Sequence, residues 1–214
     1  MIGVWDYTVI LTYLSMLAGV LGMFMATTGH ATLAVLLLMI CGLLDLFDGP
    51  VARTKKNRTA EQKTFGIQID SLNDLICFGV LPAMIGFSIR PEISPEKLVF
   101  LLFPLAGLVR LAWFNVQEQI RQQETEELRK YYTGVPITFS SVIVPGVYMI
   151  FRPILPELAF YILLVCVMAV LGVLYISRIK IPKPHKTGLI IFSLIGLAGF
   201  VYLIVLLSIG RLGL

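Results

Sequence analysis

The chain has 214 residues, 57% of them hydrophobic and only 14% charged, with a mean hydropathy of +0.88. A soluble domain carries about a quarter charged residues, and here the runs of about 20 apolar residues that a bilayer-crossing helix needs recur along the chain, which excludes an ordinary soluble enzyme. The net charge of +4 does not mark a nucleic-acid partner, because the basic residues gather in loops between apolar runs, where they face anionic lipid headgroups.

In chain order the apolar segments fall at about 8–28, 31–47, 64–88, 98–117, 136–151, 156–176 and 187–209. They predict an all-α polytopic membrane protein of about six to seven transmembrane helices, with residues 1–214 as a single transmembrane domain. The opening Met1-Ile2-Gly3-Val4-Trp5-Asp6 lacks the basic stretch of a removable signal, so the first segment is expected to remain as a span. Arg53, Lys55, Lys56, Arg58 and Lys63 fall in the second loop, Arg121, Arg129 and Lys130 in the fourth, and Arg178, Lys180, Lys183 and Lys186 in the sixth. Twelve of the 17 basic residues thus sit in even-numbered loops. The positive-inside rule then places those loops and the N-terminus in the cytoplasm and the C-terminus outside.

The polar stretch from Gln117 to Lys130 predicts a solvated extension of the fourth helix, with Tyr131 and Tyr132 at the membrane interface. Cys41, Cys77 and Cys166 each lie inside an apolar segment with no CxxC pair, and read as small buried hydrophobes. His30 and His185 stand far apart at span ends, which argues against a histidine metal site.

Ionisable groups inside spans are costly and therefore mark function. The second span ends Leu44-Asp45-Leu46-Phe47-Asp48-Gly49-Pro50, and the third opens Phe65-Gly66-Ile67-Gln68-Ile69-Asp70-Ser71-Leu72-Asn73-Asp74. Asp45 and Asp48 are spaced i,i+3, and Asp70 and Asp74 i,i+4, so each pair shares one helix face. One loop joins the two spans, so four carboxylates are expected to converge just inside the membrane. Such a cluster repels itself unless cations hold it, and one guanidinium, that of Arg53, cannot balance four charges. An all-oxygen set suits hard ions, so two divalent cations, Mg2+ or Mn2+, are expected.

The run Asp45-x2-Asp48-Gly49-x2-Ala52-Arg53, then Gly66-x3-Asp70-x3-Asp74, resembles the signature of CDP-alcohol phosphotransferases with all eight residues present. Between Arg53 and Gly66 stand twelve residues, Thr54 to Phe65, where the family usually has eight. The resemblance implies the fold of that family. It further implies Asp45, Asp48, Asp70 and Asp74 as metal ligands and Asp74 as the general base. CDP-diacylglycerol would be held by Asp48, Gly49, Ala52, Arg53 and Gly66. The missing side chains of Gly49 and Gly66 would let a pyrophosphate approach the backbone, and Arg53 offers a planar fork for phosphate oxygens. Thr12 and Ser15 match positions near the nucleotide where family members often carry Thr and Asn.

Four further segments bear on the acceptor alcohol. Asp70-Ser71-Leu72-Asn73-Asp74, with Phe78-Gly79 and Pro82 after it, resembles the phosphatidylserine synthase branch of the family, with Ile69 for the usual Leu and Asn73 for the usual Ala. Arg110-Leu111-Ala112-Trp113-Phe114-Asn115, Thr133-Gly134-Val135-Pro136 and Ser177-Arg178-Ile179-Lys180-Ile181-Pro182 are similar to segments of that branch, in the expected order. L-serine is then the implied acceptor, with Arg110, Asn115, Arg178 and Lys180 as candidate contacts. Arg110 is the basic residue that lies within an apolar segment. The branch further implies a multi-pass protein of the cell membrane with its site facing the cytoplasm, and a homodimer. A sister enzyme using glycerol 3-phosphate or inositol phosphate would need extra cations in the cavity. A divalent-cation transporter would not need Gly49, Ala52 and Arg53 at fixed spacing.

Overall fold

The computed structural model describes residues 2–124, 131–182, 198–199, 201–205 and 208. Among the described residues up to 182, seven α-helices follow one another: α1 (Ile10–Thr27), α2 (Ala31–Thr54), α3 (Ala60–Asp74), α4 (Leu81–Ile89), α5 (Leu98–Glu124), α6 (Ser140–Phe151) and α7 (Glu157–Ile176). A π-helical segment, Leu75–Val80, joins α3 to α4 without a break. Among the described residues, five stretches are long and apolar enough to cross a bilayer: Ile10–Thr27, Ala31–Thr54, Ala60–Ile89, Pro95–Arg121 and Glu157–Ile176. The shorter Ile137–Phe151 supplies a sixth apolar helix. The expected seventh span at 187–209, and His185 with it, falls outside the described residues except at a few positions, of which Leu203 is fully buried.

In lipid, helices gain little from hiding apolar side chains, so close packing and shared hydrogen bonds hold them together. Small residues serve the first of these. A Cβ added at Gly19 of α1 would lie 2.7 Å from Cys77 Sγ, and one at Gly42 of α2 would lie 2.4 Å from Ser141 Oγ on α6. Hydrogen bonds serve the second: Thr32 and Tyr148 share a hydroxyl–hydroxyl bond of 2.9 Å, and Tyr175 donates to the Ile137 carbonyl at 3.0 Å. Leu38, Phe78, Leu81, Ile85, Leu164 and Met168 fill the centre of the bundle. Leu17, Phe24, Leu101 and Val173 stand outward, as lipid-facing side chains do.

The π-helical segment has a local cause. Pro82 has no N–H, so the Phe78 carbonyl four residues earlier loses its usual helical donor. The chain widens there, and Ser140 Oγ donates to Phe78 O at 2.8 Å. Inside a bilayer such a freed carbonyl must be satisfied by protein, and the bond also ties α6 to this bend directly beyond Asp74.

Three expectations about the helices are corrected. The second span runs on to Thr54 rather than ending near 47, and the third begins at Ala60 rather than 64. Polar residues carry both helices past the apolar stretch, and at the start of α3 Thr59 and Gln62 form a reciprocal cap with bonds of 3.2 Å each. The four additional residues between Arg53 and Gly66 amount to about one turn of helix, so the loop shrinks to 55–59 and Gly66 sits in the second turn of α3, not at its start. Cys166 is exposed, whereas Cys41 and Cys77 are buried. An apolar setting does not separate a packed face from a lipid-facing one.

The polar stretch after 117 is helical to Glu124, and residues 125–130, with Arg129 and Lys130, fall outside the described residues. Beyond them an element absent from the all-helical expectation appears: β1 (Tyr131–Thr133) pairs antiparallel with β2 (Lys180–Pro182), Tyr132 opposite Ile181. Gly134 turns out of β1 with φ +76°, and a Cβ there would lie 2.9 Å from the Tyr175 carbonyl. Its N–H donates to Ile179 O at 2.8 Å. Only glycine accepts both the backbone angle and that proximity.

Candidate active site

The site lies where the end of α2 meets the length of α3. Positions 45, 48 and 52 fall on one face of α2, and 62, 66, 70 and 74 on one face of α3. Asp45, Asp70 and Asp74 each bring a carboxylate oxygen within 4.8 Å of the others. Asp74 is buried, and its Oδ1 has no hydrogen-bond partner among the described residues. Asp48 stands beside the trio rather than in it, in reach of Asp70 and accepting from Thr12 Oγ1 on α1 at 3.2 Å. The expected convergence of four carboxylates is therefore three together and one alongside.

An orphaned buried oxygen within a knot of carboxylates fits a hard cation, since an unpaired buried charge is otherwise among the costliest features a protein can carry. The donor set is all oxygen, as Mg2+ and Mn2+ prefer.

At the basic end of the site two glycines of the signature each face a guanidinium. A Cβ on Gly49 would lie 3.4 Å from Arg53 Nη1, which folds back over it one turn along α2. A Cβ on Gly66 would lie 2.7 Å from Arg58 Nη2. Arg58 reaches across from the loop, donating to Gln62 O at 3.1 Å and to Ala52 O at 3.5 Å. Arg58 was not singled out by sequence, and its place in a loop of five residues between two helix ends was the available signal.

Behind the carboxylates lies a buried polar knot that was not foreseen. Asn73, next to Asp74, donates to Ser15 Oγ at 3.2 Å and accepts from Cys77 Sγ at 3.3 Å. Cys41 donates to the Ser15 carbonyl at 3.4 Å, and the Cys77 thiol, whose one proton Asn73 and that carbonyl share, lies 3.4 Å from it. Ser15 is thus fully buried and occupied with Asn73, while Thr12 points to Asp48.

The residues expected around an acceptor fall into two places. Asn115 on α5 donates to Ser71 Oγ at 2.9 Å, which brings it beside Asp70. Arg110 is buried, donates through Nε to Val135 O at 2.8 Å and lies over the Phe114 ring. Val135 follows Gly134, which is bonded to Ile179 next to the exposed Arg178. The three weaker sequence segments thus meet around the ribbon. Lys180 contributes its backbone to β2, and its side chain falls outside the described residues.

A family model described as CDP-alcohol phosphatidyltransferase matches residues 7–210. The chain is 31% identical over 180 residues to an archaetidylserine synthase of Methanothermobacter thermautotrophicus, covering 84% of this chain and 70% of that one. It is 29% identical over 155 residues to a CDP-diacylglycerol–serine O-phosphatidyltransferase of Bacillus subtilis, covering 72% and 76%. A protein with the same printed name from Saccharomyces cerevisiae is 38% identical over 112 residues, 52% of this chain and 38% of the yeast protein.

Proposed function

The chain belongs to the CDP-alcohol phosphatidyltransferase family, and from that premise we propose that it transfers the phosphatidyl group of CDP-diacylglycerol to the hydroxyl of L-serine, releasing CMP. The observation that carries the reading is the meeting of Asp45, Asp70 and Asp74 within 4.8 Å, on helices that also bear Gly49, Ala52, Arg53 and Gly66. Serine as acceptor is supported by the names of the relatives and by the three segments gathered at the ribbon.

Asp45, Asp48, Asp70 and Asp74 would hold two divalent cations, which when bound neutralise the pyrophosphate and the charge that develops on its oxygens. Asp48 is kept in position by Thr12. Asp74, whose Oδ1 has no partner among the described residues, takes the proton of the serine hydroxyl. The serine oxygen forms a bond to the lipid-side phosphorus, the bond from that same phosphorus to the bridging anhydride oxygen breaks, and CMP leaves with that oxygen and the electron pair. Arg53 steadies phosphate oxygens at the mouth. Arg110, Asn115, Arg178 and Lys180 form the acceptor side, with Arg110 opposite the serine carboxylate.

The same proposal treats residues 1–214 as one catalytic domain in the cell membrane with the basic loops and the site toward the cytoplasm, in keeping with the positive-inside rule. It also includes a homodimer.

The test is an acceptor panel. Purified protein receives CDP-diacylglycerol, Mg2+ or Mn2+, and in turn L-serine, glycerol 3-phosphate or inositol phosphate. CMP release is expected with serine. Release with glycerol 3-phosphate and none with serine would overturn the assignment.

A further inference from the structure

We infer that Arg58, in the loop between α2 and α3, is a second phosphate-binding guanidinium for the nucleotide-diphosphate lipid, paired with Gly66 as Arg53 is paired with Gly49. The inference rests on the donor proposed above.

Three observations lead there. The first is position. Gln62, Gly66, Asp70 and Asp74 share one face of α3, and Asp45, Asp48 and Ala52 share one face of α2. Arg58 bonds to the Ala52 and Gln62 carbonyls, so its guanidinium bridges the two faces that carry the carboxylates. Ala52 and Gly66 are each four residues from an aspartate, Asp48 and Asp70. The guanidinium therefore sits about one helical turn, roughly 5 Å, from the metal-ligand rung, toward the basic end.

The second is fit. Arg58 Nη2 occupies the space that a side chain at residue 66 would fill, 2.7 Å from the ideal Cβ. A glycine at that place admits the guanidinium against the helix backbone. The third is an unspent donor. Arg58 Nε is buried with no hydrogen-bond partner among the described residues. A guanidinium carries five N–H donors in a planar fork suited to phosphate oxygens, and two carbonyls leave much of that fork available.

The chemistry asks for such a group. A diphosphate ester spreads negative charge over two phosphates, and a guanidinium beside each of Gly49 and Gly66 matches it better than Arg53 alone. Arg58 lies within the segment that is four residues longer than the family's usual spacing, so the longer connection supplies the cation as well as a turn of helix.

The test uses full-length protein in detergent and measures binding of CDP in Mg2+ by calorimetry, beside initial rates with CDP-diacylglycerol and serine. Arg58→Ala is expected to weaken CDP binding about tenfold and to raise the KM for CDP-diacylglycerol while the KM for serine stays as it was. Gly66→Ala, which leaves Arg58 in the chain but pushes its flexible end out of place, is expected to do the same. The double variant is expected to be no weaker than Gly66→Ala alone, because coupled residues do not add. Arg58→Lys should recover only part of the affinity, since an ammonium lacks the fork. Unchanged or tighter CDP binding by Arg58→Ala would overturn the inference, and so would losses that multiply in the double variant. If the unaltered protein binds no CDP, the donor assignment itself falls, and this inference with it.

Discussion

Thr12 on α1 donates its hydroxyl to Asp48 on α2 across 3.2 Å, and so fixes the carboxylate that stands just outside the trio of Asp45, Asp70 and Asp74. A hydrogen bond to a charged group contributes about 1.5–3 kcal/mol. Thr12→Val is therefore expected to lower kcat/KM for CDP-diacylglycerol by about 10- to 100-fold and to raise the Mg2+ concentration needed for half-maximal rate. Thr12→Ser should stay near the parent. A valine variant with the parent's metal dependence would separate Thr12 from the site.

The unpaired Oδ1 of Asp74 sets a second expectation. Chelation should abolish CMP release, and added Mg2+ or Mn2+ should restore it. Asp45→Asn and Asp70→Asn should weaken the response to metal. Asp74→Asn should lower turnover by about 10²–10⁴, the usual worth of a general base, while CDP still binds. Turnover near the parent value in Asp74→Asn would assign the proton to another group.

Arg110 is buried and bonded to the Val135 carbonyl, which places it between α5 and the ribbon. Arg110→Ala should raise the KM for serine strongly, with a loss of about 2–5 kcal/mol if it pairs with a desolvated carboxylate. The KM for CDP-diacylglycerol should barely move. Loss confined to the lipid substrate would place Arg110 on the phosphate side instead.

The N-terminal segment makes a prediction about pH. Lys55 Nζ lies 2.6 Å from Asp6 Oδ2, and with the hydroxyl and amide of Thr8 it holds the Asp6 carboxyl down to about 2. A carboxyl lowered from its unfolded value of about 3.9 contributes above that value and loses its contribution as pH falls through about 2. Trp5, whose ring centre is 5.3 Å from that of Tyr13, reports on this segment. Its fluorescence should be constant from neutral pH to about 4 and change below. Asp6→Asn should show the low-pH signal at pH 7, more weakly so at high salt, since an exposed pair is screened. An Asp6→Asn spectrum equal to the parent's at neutral pH would leave the ion pair without a part in holding the segment.

Much of the site was legible because charge is expensive in lipid. Asp45, Asp48, Asp70 and Asp74 stood out in apolar runs, and their i,i+3 and i,i+4 spacing gave the shared faces directly. The helix ends at Thr54 and Ala60 were not legible, since hydropathy follows the bilayer and not the hydrogen-bond ladder. Nor was the π-helical segment, although Pro82 and the Ser140 bond explain it afterwards. The pairing of Thr133 with Lys180, and the bond between Asn73 and Ser15, join residues too distant in the chain for any local period to relate them. The outward turn of Cys166 escaped notice for a different reason. In this solvent the surface is as apolar as the core, so composition no longer distinguishes them.

The β1–β2 ribbon acts as a clasp. It joins the chain before α6 to the chain after α7, so that these two helices hang from a closed neck like a bag drawn shut by its string. Such a loop cannot let one helix slip along the other without opening the clasp. The same α6 is bonded to the Phe78 carbonyl through Ser140 and to Thr32 of α2 through Tyr148, so the clasp also secures α7 to the helices that carry the carboxylates.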